Sequence, residues 1–469
     1  MPKLKTWQLT AGSAVAGLAL AAGAVAVAGP WDSGQRKAER DLAAVKDRTG
    51  GAHHAAPAPD PAEPAPAPSA RGVLSALGAP AAPSAQPDRL KEVLAPLLDT
   101  AALGALRTAS VVDAATGKQL YGRGERDAMT PASTVKIATT VAALSALGPD
   151  HRIATTVLAA PDSKRITLKG GGDPTLEKDG LRALAADTAR ALRDKGADKV
   201  SLSYDTTLYT GSEVHPIGAG NENLARVTSL MVNEGRTDGT RSGIGSRTLD
   251  PAGDAARSFA AELRALGVQV TGDPASGKAP ADAQPVAKTL SAPLSALVER
   301  TLTNSDNDIA EALARQTALA AGEEASFAGA GKAVYDRLAA LDLPADGLLA
   351  GAHFADGSGL DRADRVSAGL LTALLARAAD PAHPALRSVL TGLPVAGFSG
   401  TLQTRYAGQA AGTGLVRAKT GTLTGVNTLA GTVVTKEGRL LAFAFLAGDT
   451  PAPDPAQQAL DAMASALTR

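Results

Sequence analysis

The sequence predicts an α+β protein in which an antiparallel sheet is flanked by helices and is split by an inserted, mainly β subdomain. Two hairpin patterns, one near each end of the folded region, predict the sheet, and helical apolar spacing beside them predicts the flanking helices. A block of short strand-like pieces and glycine-rich turns separates the two halves. With 469 residues, the chain is long enough to bury a large core.

The N-terminus carries the pattern of an export signal. Two lysines precede an uncharged run from Trp7 to Pro30, and Ala26 and Ala28 offer the small residues of a cleavage site. The run also approaches the length that spans a bilayer, so a retained membrane anchor is the alternative to a cleaved signal peptide. Residues 1–30 therefore predict an extracytoplasmic protein, either secreted or anchored to the outer face of the cytoplasmic membrane.

Residues 31–88 have the composition of a disordered tether. A charged patch is followed by proline and alanine repeats such as APAPDPAEPAPAPSA. Such a segment cannot bury enough apolar surface to fold, and its prolines favour extended polyproline conformations. We expect it to hold the folded region at a distance from the N-terminal segment.

Residues 89–151 predict the first part of the α+β domain. Apolar residues follow helical spacing in LKEVLAPLLDTAALGAL, and TASVVDAATGKQLYG predicts two strands joined at Ala115–Lys118. A second helix follows, with Thr130 as its N-cap, Pro131 at its first position and Gly148 as its stop.

The remaining chain divides into an inserted subdomain at 152–290 and the second part of the domain at 291–469. The insertion has short strand-like pieces, glycine-rich turns and one or two amphipathic helices. The second part is helical at first, and VNTLAGTVV and RLLAFAFLAG then predict two strands around Lys436–Gly438. The pattern of PAQQALDAMASAL predicts a terminal amphipathic helix.

Composition excludes several classes of function. Lysine plus arginine and aspartate plus glutamate both total 47, and aromatic residues make up 3% of the chain, so we expect no nucleic-acid partner. There is no cysteine, which excludes thiolate chemistry and disulfides. The six histidines are scattered, so neither a metal centre nor a Ser-His-Asp triad is expected: His53, His54, His151, His215, His353 and His383.

The stretch PASTVKIATT places Ser133 three residues before Lys136 on a predicted helix. A serine hydroxyl needs an adjacent base to act as a nucleophile, and residues three apart share one helical face. The unpaired N–H groups of the helix N-terminus would suit a developing oxyanion. By itself this pattern is weak, because an ordinary polar helix start has the same appearance.

Two further patterns change this assessment. TLTNSDNDIAEALAR contains Ser305-Asp306-Asn307, and VRAKTGTLTGV contains Lys419-Thr420-Gly421-Thr422. Ser-x-x-Lys, Ser-x-Asn and Lys-Thr-Gly each occur once, in that order, which independent coincidence does not explain.

This ordered triplet resembles the signature of the penicillin-binding protein and serine β-lactamase superfamily. LKGGGDPTL, HFADGSGLDRADRVS and LPVAGFSGTLQTRY make the resemblance narrower. With them the chain looks like the D-alanyl-D-alanine carboxypeptidase/endopeptidase family, of the penicillin-binding protein 4 or class C low-molecular-mass type. The resemblance covers nearly everything from Arg89 to the C-terminus and implies a transpeptidase-like domain. The interval between Ser133 and Ser305 is shorter than in that family, which implies a single inserted subdomain.

The resemblance implies a role for each motif residue. It makes Ser133 the acylated nucleophile and Lys136 its base, while Ser305 relays a proton to the leaving amine. Asn307 would hold the peptide carbonyl and Lys136. The Lys-Thr-Gly motif would bind substrate: Lys419 would anchor the terminal carboxylate and help to keep Lys136 neutral, and Thr420 would assist the anchoring. Gly421 would let substrate approach the strand closely. The backbone N–H groups of Ser133 and Thr422 would form the oxyanion hole.

The resemblance thus implies an exported serine-type D-Ala-D-Ala carboxypeptidase that trims peptidoglycan stem peptides, with endopeptidase activity as an extension of the same chemistry. β-Lactams are the expected covalent inhibitors, and no metal or other cofactor is expected. Two alternatives are a β-lactamase, for which the sequence offers no evident deacylating glutamate, and a catalytically inactive wall-associated scaffold.

Overall fold

The computed structural model describes residues 87–343, 347–406 and 411–469. The predicted export segment and nearly all of the predicted tether lie outside these residues. Within the described ranges, no helix combines the length and the apolar character needed to cross a membrane. The described chain forms an α+β fold, as the sequence predicts, with two five-stranded sheets and one two-stranded sheet.

The element bounds in chain order are as follows. The strands are β1 (Leu106–Asp113), β2 (Gln119–Arg123), β3 (Ala128–Met129), β4 (Ala154–Ala159), β5 (Arg165–Lys169), β6 (Lys199–Asp205), β7 (Gln269–Ser276), β8 (Gln284–Leu290), β9 (Val366–Ser367), β10 (Val416–Leu423), β11 (Val426–Val434) and β12 (Leu440–Gly448). The α-helices are α1 (Pro87–Leu98), α2 (Lys136–Leu147), α3 (Lys178–Asp194), α4 (Pro251–Ala265), α5 (Leu294–Asn304), α6 (Asn307–Ala321), α7 (Phe327–Ala339), α8 (Ala368–Ala379), α9 (Arg387–Thr391) and α10 (Pro453–Ala466).

The main sheet brings the two ends of the described chain together. Its strand order is β10-β11-β12-β1-β2, and every neighbouring pair is antiparallel. Both hairpins predicted from the sequence are present, β1–β2 and β11–β12. The helix in front of β1 and the C-terminal helix α10 are also confirmed.

Alternation along β12 divides the core into two layers. Phe443 and Phe445 pack with α1 and α10 on one face of the sheet. Ala442 and Ala444 pack on the other face, in a core shared with α2, α5, α6, α7 and α8. Successive side chains of a strand point to opposite faces, so neighbouring residues of β12 contribute to different layers. The small residues allow the helices that carry the site to lie close to the sheet.

The inserted region contains a second sheet with the order β7-β6-β5-β4-β8. Its β5–β6 and β6–β7 pairs are parallel, and the helices α3 and α4 make the crossovers that parallel pairs require. These two helices, of 17 and 15 residues, contribute about as many residues as the five strands. The insertion is therefore a mixed α/β layer, richer in helix than the mainly β unit that the sequence predicts. Between β6 and α4, a long and mostly irregular segment returns to the main domain.

The start of the predicted helix at Thr130 differs from expectation. A short 3₁₀ turn, Ala132–Val135, precedes α2, and Thr130 makes no cap; its hydroxyl donates to the Arg362 carbonyl at 3.3 Å. The predicted stop at Gly148 is confirmed. This 3₁₀ turn contains Ser133 and therefore determines where its side chain lies.

Candidate active site

Ser133 and Lys136 lie at the junction between the 3₁₀ turn and α2. The Nζ atom of Lys136 is 2.9 Å from the Oγ atom of Ser133. Ala132, just before the serine, has a φ of 47°, in the left-handed region that residues with a Cβ rarely adopt. Gly359 makes this bend possible, because a Cβ at Gly359 would lie 2.1 Å from the Ala132 carbonyl oxygen. The close approach of a second chain segment thus supports the strained turn beside the serine.

The Lys136 ammonium group is buried among three oxygen atoms. Besides Ser133, Nζ contacts Oδ1 of Asn307 at 2.7 Å and the carbonyl oxygen of Ser358 at 2.5 Å. Burial lowers the pKa of Lys136 to about 8, because a low-dielectric site disfavours the charged form. Nearby carboxyl groups act in the opposite direction, the strongest being those of Asp356 and Glu311.

A tight turn between α5 and α6 brings the Ser-x-Asn motif to the same place. Ser305 ends α5 in the left-handed conformation, with a φ of 58°. Asp306 then caps α6, since its Oδ1 accepts the N–H of Ile309 at 3.0 Å. This geometry places Ser305 against Lys419 and Asn307 against Lys136, so two residues of one motif contact two different lysines.

Lys419 lies on β10, at the edge of the main sheet. It is fully buried, and its Nζ contacts Oγ of Ser305 at 2.8 Å and the Thr420 carbonyl at 2.7 Å. Burial holds the pKa of Lys419 well below its usual value, and the charges of Lys136 and Arg405 lower it further. The like-charge effect thus acts on Lys419, and the expectation that Lys419 helps to keep Lys136 neutral stays a prediction.

The rest of the Lys-Thr-Gly motif borders the open side of the site. The Thr420 hydroxyl donates to Oγ1 of Thr401 at 2.8 Å, and Thr422 is exposed. A Cβ at Gly421 would lie 2.1 Å from Oγ1 of Thr428 and 2.7 Å from the Pro131 carbonyl oxygen. The described structure thus requires glycine there for packing of β10 against its neighbours, a reason additional to the substrate approach that the family resemblance implies.

The contact of Ser358 with Lys136 was not predicted from the sequence. Ser358 lies in the loop Asp356–Gly359, which the structure places directly behind Lys136. The contacting atom is a backbone carbonyl oxygen, so no side chain signals it in the sequence. His215, one of the histidines expected to have no joint role, contacts Oδ2 of Asp356 through Nε2 at 2.9 Å.

Two buried groups of side chains have ligand atoms close enough together to hold a metal ion: His215, Glu311 and Asp356, and Glu234, Asp306 and Asp308. Carboxylate oxygens of the first group accept the N–H groups of Gly357 and Ser358. The second group faces arginines instead: Arg236 and Arg300 at Glu234, and Arg247 at Asp308. These partners indicate hydrogen-bonded and ion-paired carboxylates, which is how buried charges are usually accommodated.

The arrangement can remove a proton from Ser133. A neutral lysine amine has two N–H bonds and one lone pair. The Ser358 carbonyl and the Asn307 Oδ1 can only accept hydrogen bonds, so they take both N–H bonds. The lone pair then faces the Ser133 hydroxyl, the one partner able to donate.

A family model describes the same part of the chain. The model of the D-Ala-D-Ala carboxypeptidase 3 (S13) family matches residues 90–241 and 228–467. Carboxypeptidase DacB from Mycolicibacterium smegmatis is 36% identical over 422 residues, covering 86% of this chain and 85% of that protein. A D-alanyl-D-alanine carboxypeptidase from an Actinomadura species is 32% identical over 473 residues, covering 81% of this chain and 86% of that protein.

The fold is similar to that of penicillin-binding protein 4 (dacB) from Haemophilus influenzae. Its crystal structure superposes with a TM-score of 0.66 and 21% identity, covering 82% of this chain and all of that chain. A structure of that protein in complex with a β-lactam superposes with a TM-score of 0.61 and 23% identity, covering 82% of this chain and 98% of that one. At these identities the likeness establishes the fold.

Proposed function

The chain belongs to the D-Ala-D-Ala carboxypeptidase 3 (S13) family, and from this membership we propose that it is an exported serine carboxypeptidase that trims peptidoglycan stem peptides through an acyl-enzyme on Ser133. The observation that carries the proposal is the 2.9 Å contact between Lys136 Nζ and Ser133 Oγ, within a set of partners that directs the lysine lone pair at the serine. A base in this position is what a serine nucleophile requires.

In the first step, Ser133 Oγ attacks the carbonyl carbon between the two D-alanines, and its proton passes to Lys136 Nζ. The N–H groups of Ser133 and Thr422 would donate hydrogen bonds to the carbonyl oxygen and so stabilise the negative charge that develops on it. The C–N bond then breaks, and the proton held by Lys136 passes through the Ser305 hydroxyl to the leaving amine, which departs as D-alanine and leaves Lys136 neutral. The Ser305 hydroxyl lies 2.8 Å from Lys419. Water finally hydrolyses the ester, releasing the shortened peptide and regenerating Ser133.

Substrate recognition rests on Lys419 in this proposal. The terminal carboxylate of D-alanine would pair with its ammonium group, supported by the Thr420 hydroxyl. A β-lactam presents a ring amide and a carboxylate in a similar arrangement, so it would acylate the same serine. The β-lactam complex of the Haemophilus influenzae relative supports this extension. Cleavage of crosslinks that end in D-alanine would follow the same acyl transfer.

Location outside the cytoplasm is part of the proposal. It is supported by the lysines and the apolar run of residues 1–30, followed by the proline-rich segment at 31–88. Peptidoglycan, the proposed substrate, also lies outside the cytoplasmic membrane.

The test is the intact mass of the full-length protein after brief exposure to benzylpenicillin, with peptide mapping of the adduct. We expect one adduct on Ser133, none in Ser133→Ala, and an unchanged adduct in Ser201→Ala, which alters an exposed serine of the insertion. Release of D-alanine from a peptide ending in D-Ala-D-Ala should follow the same pattern. Release that persists in Ser133→Ala would exclude the acyl-enzyme, and rapid, repeated turnover of a cephalosporin would instead indicate a β-lactamase.

A further inference from the structure

The irregular segment 215–225 of the insertion lies against both acceptors of Lys136. It contacts the Asn307 side chain through a backbone carbonyl and the Ser358 loop through a histidine. The two acceptors determine the direction of the lysine lone pair, so whatever fixes them also affects the base. None of the three sequence motifs includes this segment.

On the Asn307 side, the segment fixes the orientation of an amide. Nδ2 of Asn307 donates to the Asn223 carbonyl at 3.0 Å, which turns Oδ1 toward Lys136. The opposite orientation would present N–H groups to the lysine and remove one of its two acceptors. Asn223 is itself held by Asn221, whose Oδ1 accepts the N–H groups of Asn223 and Leu224 at 2.9 Å each.

A backbone hydrogen bond attaches the same segment to α6, at an aspartate that also forms a buried ion pair. The N–H of Ala225 donates to Oδ1 of Asp308 at 2.9 Å, and Arg247 contacts Oδ2 of Asp308 at 3.1 Å. Asp308 directly follows Asn307 in the first turn of α6. The Asn223 carbonyl and the Asn307 amide are thus attached to one framework, which restricts their relative movement.

On the Ser358 side, the segment supplies a donor to a buried carboxylate. Asp356 folds its own loop, since Oδ1 accepts the N–H groups of Ser358 at 3.0 Å and Gly359 at 2.5 Å. The Ser358 carbonyl is directed at Lys136 by this turn. His215 contacts the other oxygen of Asp356, and its Nδ1 accepts the N–H of Ile217 at 3.2 Å. The proton of the neutral ring is therefore on Nε2, where it can only be donated to Asp356.

We propose that the segment 215–225 is part of the catalytic machinery, with His215 and Asn221 as positioning residues that aim the lone pair of Lys136 at Ser133. The proposal rests on the acyl-transfer function proposed above. It assigns to the insertion a role in the chemistry, because the segment contacts the Asn307 amide directly and contacts the carboxylate that folds the Ser358 loop. Neither residue contacts the reacting atoms, so both act through Asn307 or Ser358.

Two substitutions at His215 separate positioning from packing. In His215→Asn, an amide oxygen replaces Nδ1 and can still accept from Ile217, but no donor reaches Asp356. In His215→Gln, an N–H reaches the former place of Nε2 and restores that donor. We expect the acylation rate of the full-length protein by a fluorescent penicillin to fall about 10- to 100-fold in His215→Asn, and to recover most of that loss in His215→Gln.

A second, independent pair of substitutions is available at Asn221, which is partly exposed. Asn221→Ala removes the acceptor of two N–H groups, whereas Asn221→Asp keeps it. We expect a fall of about 10-fold in Asn221→Ala, with most of the rate recovered in Asn221→Asp. Glu222→Gln, which alters the exposed neighbouring side chain, serves as the control. In each variant the fall should appear in the acylation step and not in reversible binding of the penicillin.

The pH profile of acylation provides a readout that simple loss of stability would not move. In His215→Asn the apparent pKa of the rate should differ from that of wild type, because the oxygen atoms around Lys136 are rearranged. The titratable groups that act on Lys136 and His215 are the carboxyl groups of Asp306, Glu311, Asp356, Asp361 and Asp364, with Lys419 as the coupled cation. All of these carboxyl groups are retained in the variants. His215→Asn and His215→Gln both lack the imidazole, so a difference between their two pH profiles reports geometry and not the loss of a titrating ring.

Crystal structures of the same variants complete the test. We expect the Asn307 amide in Asn221→Ala and the Ser358 carbonyl in His215→Asn to move away from Lys136. Acylation of folded His215→Asn and Asn221→Ala at the wild-type rate would overturn the proposal, as would unchanged positions of both acceptors. If wild type is not acylated at all, the proposed function fails, and the positions of the two acceptors in these structures still decide the inference.

Discussion

The two buried lysines of the site have the same side chain and the same burial but opposite electrostatic surroundings. Lys136 is surrounded by carboxyl groups, including those of Asp356 and Glu311, which raise its pKa against the effect of burial. Lys419 is influenced by two cations, Lys136 and Arg405, which add to the effect of burial. The result is a pKa of about 8 for Lys136 and a pKa well below the usual lysine value for Lys419.

This difference shows how one residue type can serve two purposes. A group that titrates near the working pH can take and return a proton, which suits Lys136 as the base. Lys419 lacks a carboxylate partner among the described residues around it, so an incoming substrate carboxylate would supply the missing opposite charge. Binding of that carboxylate would favour the ammonium form of Lys419. The positive charge of Lys419 would in turn oppose conversion of Lys136 to its ammonium form.

The largest expected effect comes from removing the base. Lys136→Met keeps an unbranched side chain of similar size but has no basic nitrogen, so acylation of Ser133 by a fluorescent penicillin should slow by about 10²–10⁴-fold. If Lys136 is the base, this loss should appear with every acylating compound, whether or not the compound carries a carboxylate. Acylation that stays within threefold of wild type, measured on folded protein, would mean that another group accepts the serine proton.

Removal of Lys419 should have a smaller and more selective effect. Lys419→Gln loses the partner of the substrate carboxylate, so we expect kcat/KM for a peptide ending in D-Ala-D-Ala to fall about 30-fold or more. The same peptide with a C-terminal amide should be hydrolysed by wild type and variant at similar, low rates. Equal losses for the acid and the amide would contradict the assignment of Lys419 as the carboxylate anchor.

The pH dependence of acylation tests the surroundings of Lys136. The base must be neutral to accept a proton, so the rate should rise with pH and level off above the pKa of about 8. Glu311→Gln removes a carboxyl group that raises this pKa, and we expect the midpoint of the profile to move down by about half a unit. A midpoint that moves up would show that the carboxyl groups behind Lys136 do not act as the structure indicates.

Stability tests the burial of Lys136 without relying on catalysis. Burial lowers the pKa of Lys136 from 10.5 to about 8, and between these values only the unfolded chain holds the proton, so the free energy of unfolding rises with pH. Below about pH 8 Lys136 is protonated in both states, so the folded protein bears the full free-energy cost of burying the ammonium group. Lys136→Met lacks this penalty, so its stability relative to wild type should decrease by up to about 3 kcal/mol as the pH rises from about 8 to 10.5.

Denaturant unfolding at several pH values measures this change, with Lys118→Met, at an exposed position, as the control. A constant difference between Lys136→Met and wild type across the window would mean that the folded protein does not depress the pKa of Lys136. Costs that do not depend on pH, such as unpaired acceptors in the variant, cancel in this comparison.

Local patterns predicted the main sheet, because two-residue alternation and turn residues act over short stretches of chain. The β1–β2 and β11–β12 hairpins and the helix stop at Gly148 follow these patterns closely. The start of α2 does not. Thr130 has the chemistry of an N-cap, but contacts with distant segments, including Gly359, favour a 3₁₀ turn before the helix. The domain boundaries drawn at 30, 88, 151 and 290 remain predictions.

By itself, the sequence determined the family and indicated the candidate reactive groups, because Ser133, Ser305 and Lys419 lie in motifs whose residue types the proposed chemistry requires. Only the tertiary structure decided how those groups are surrounded. The Ser358 carbonyl and the Asn223 carbonyl belong to the backbone, which every residue possesses, so no pattern of side chains identifies them. His215 lies 141 residues from Asp356, and packing of the inserted segment against the main domain, which local patterns do not encode, brings the two together.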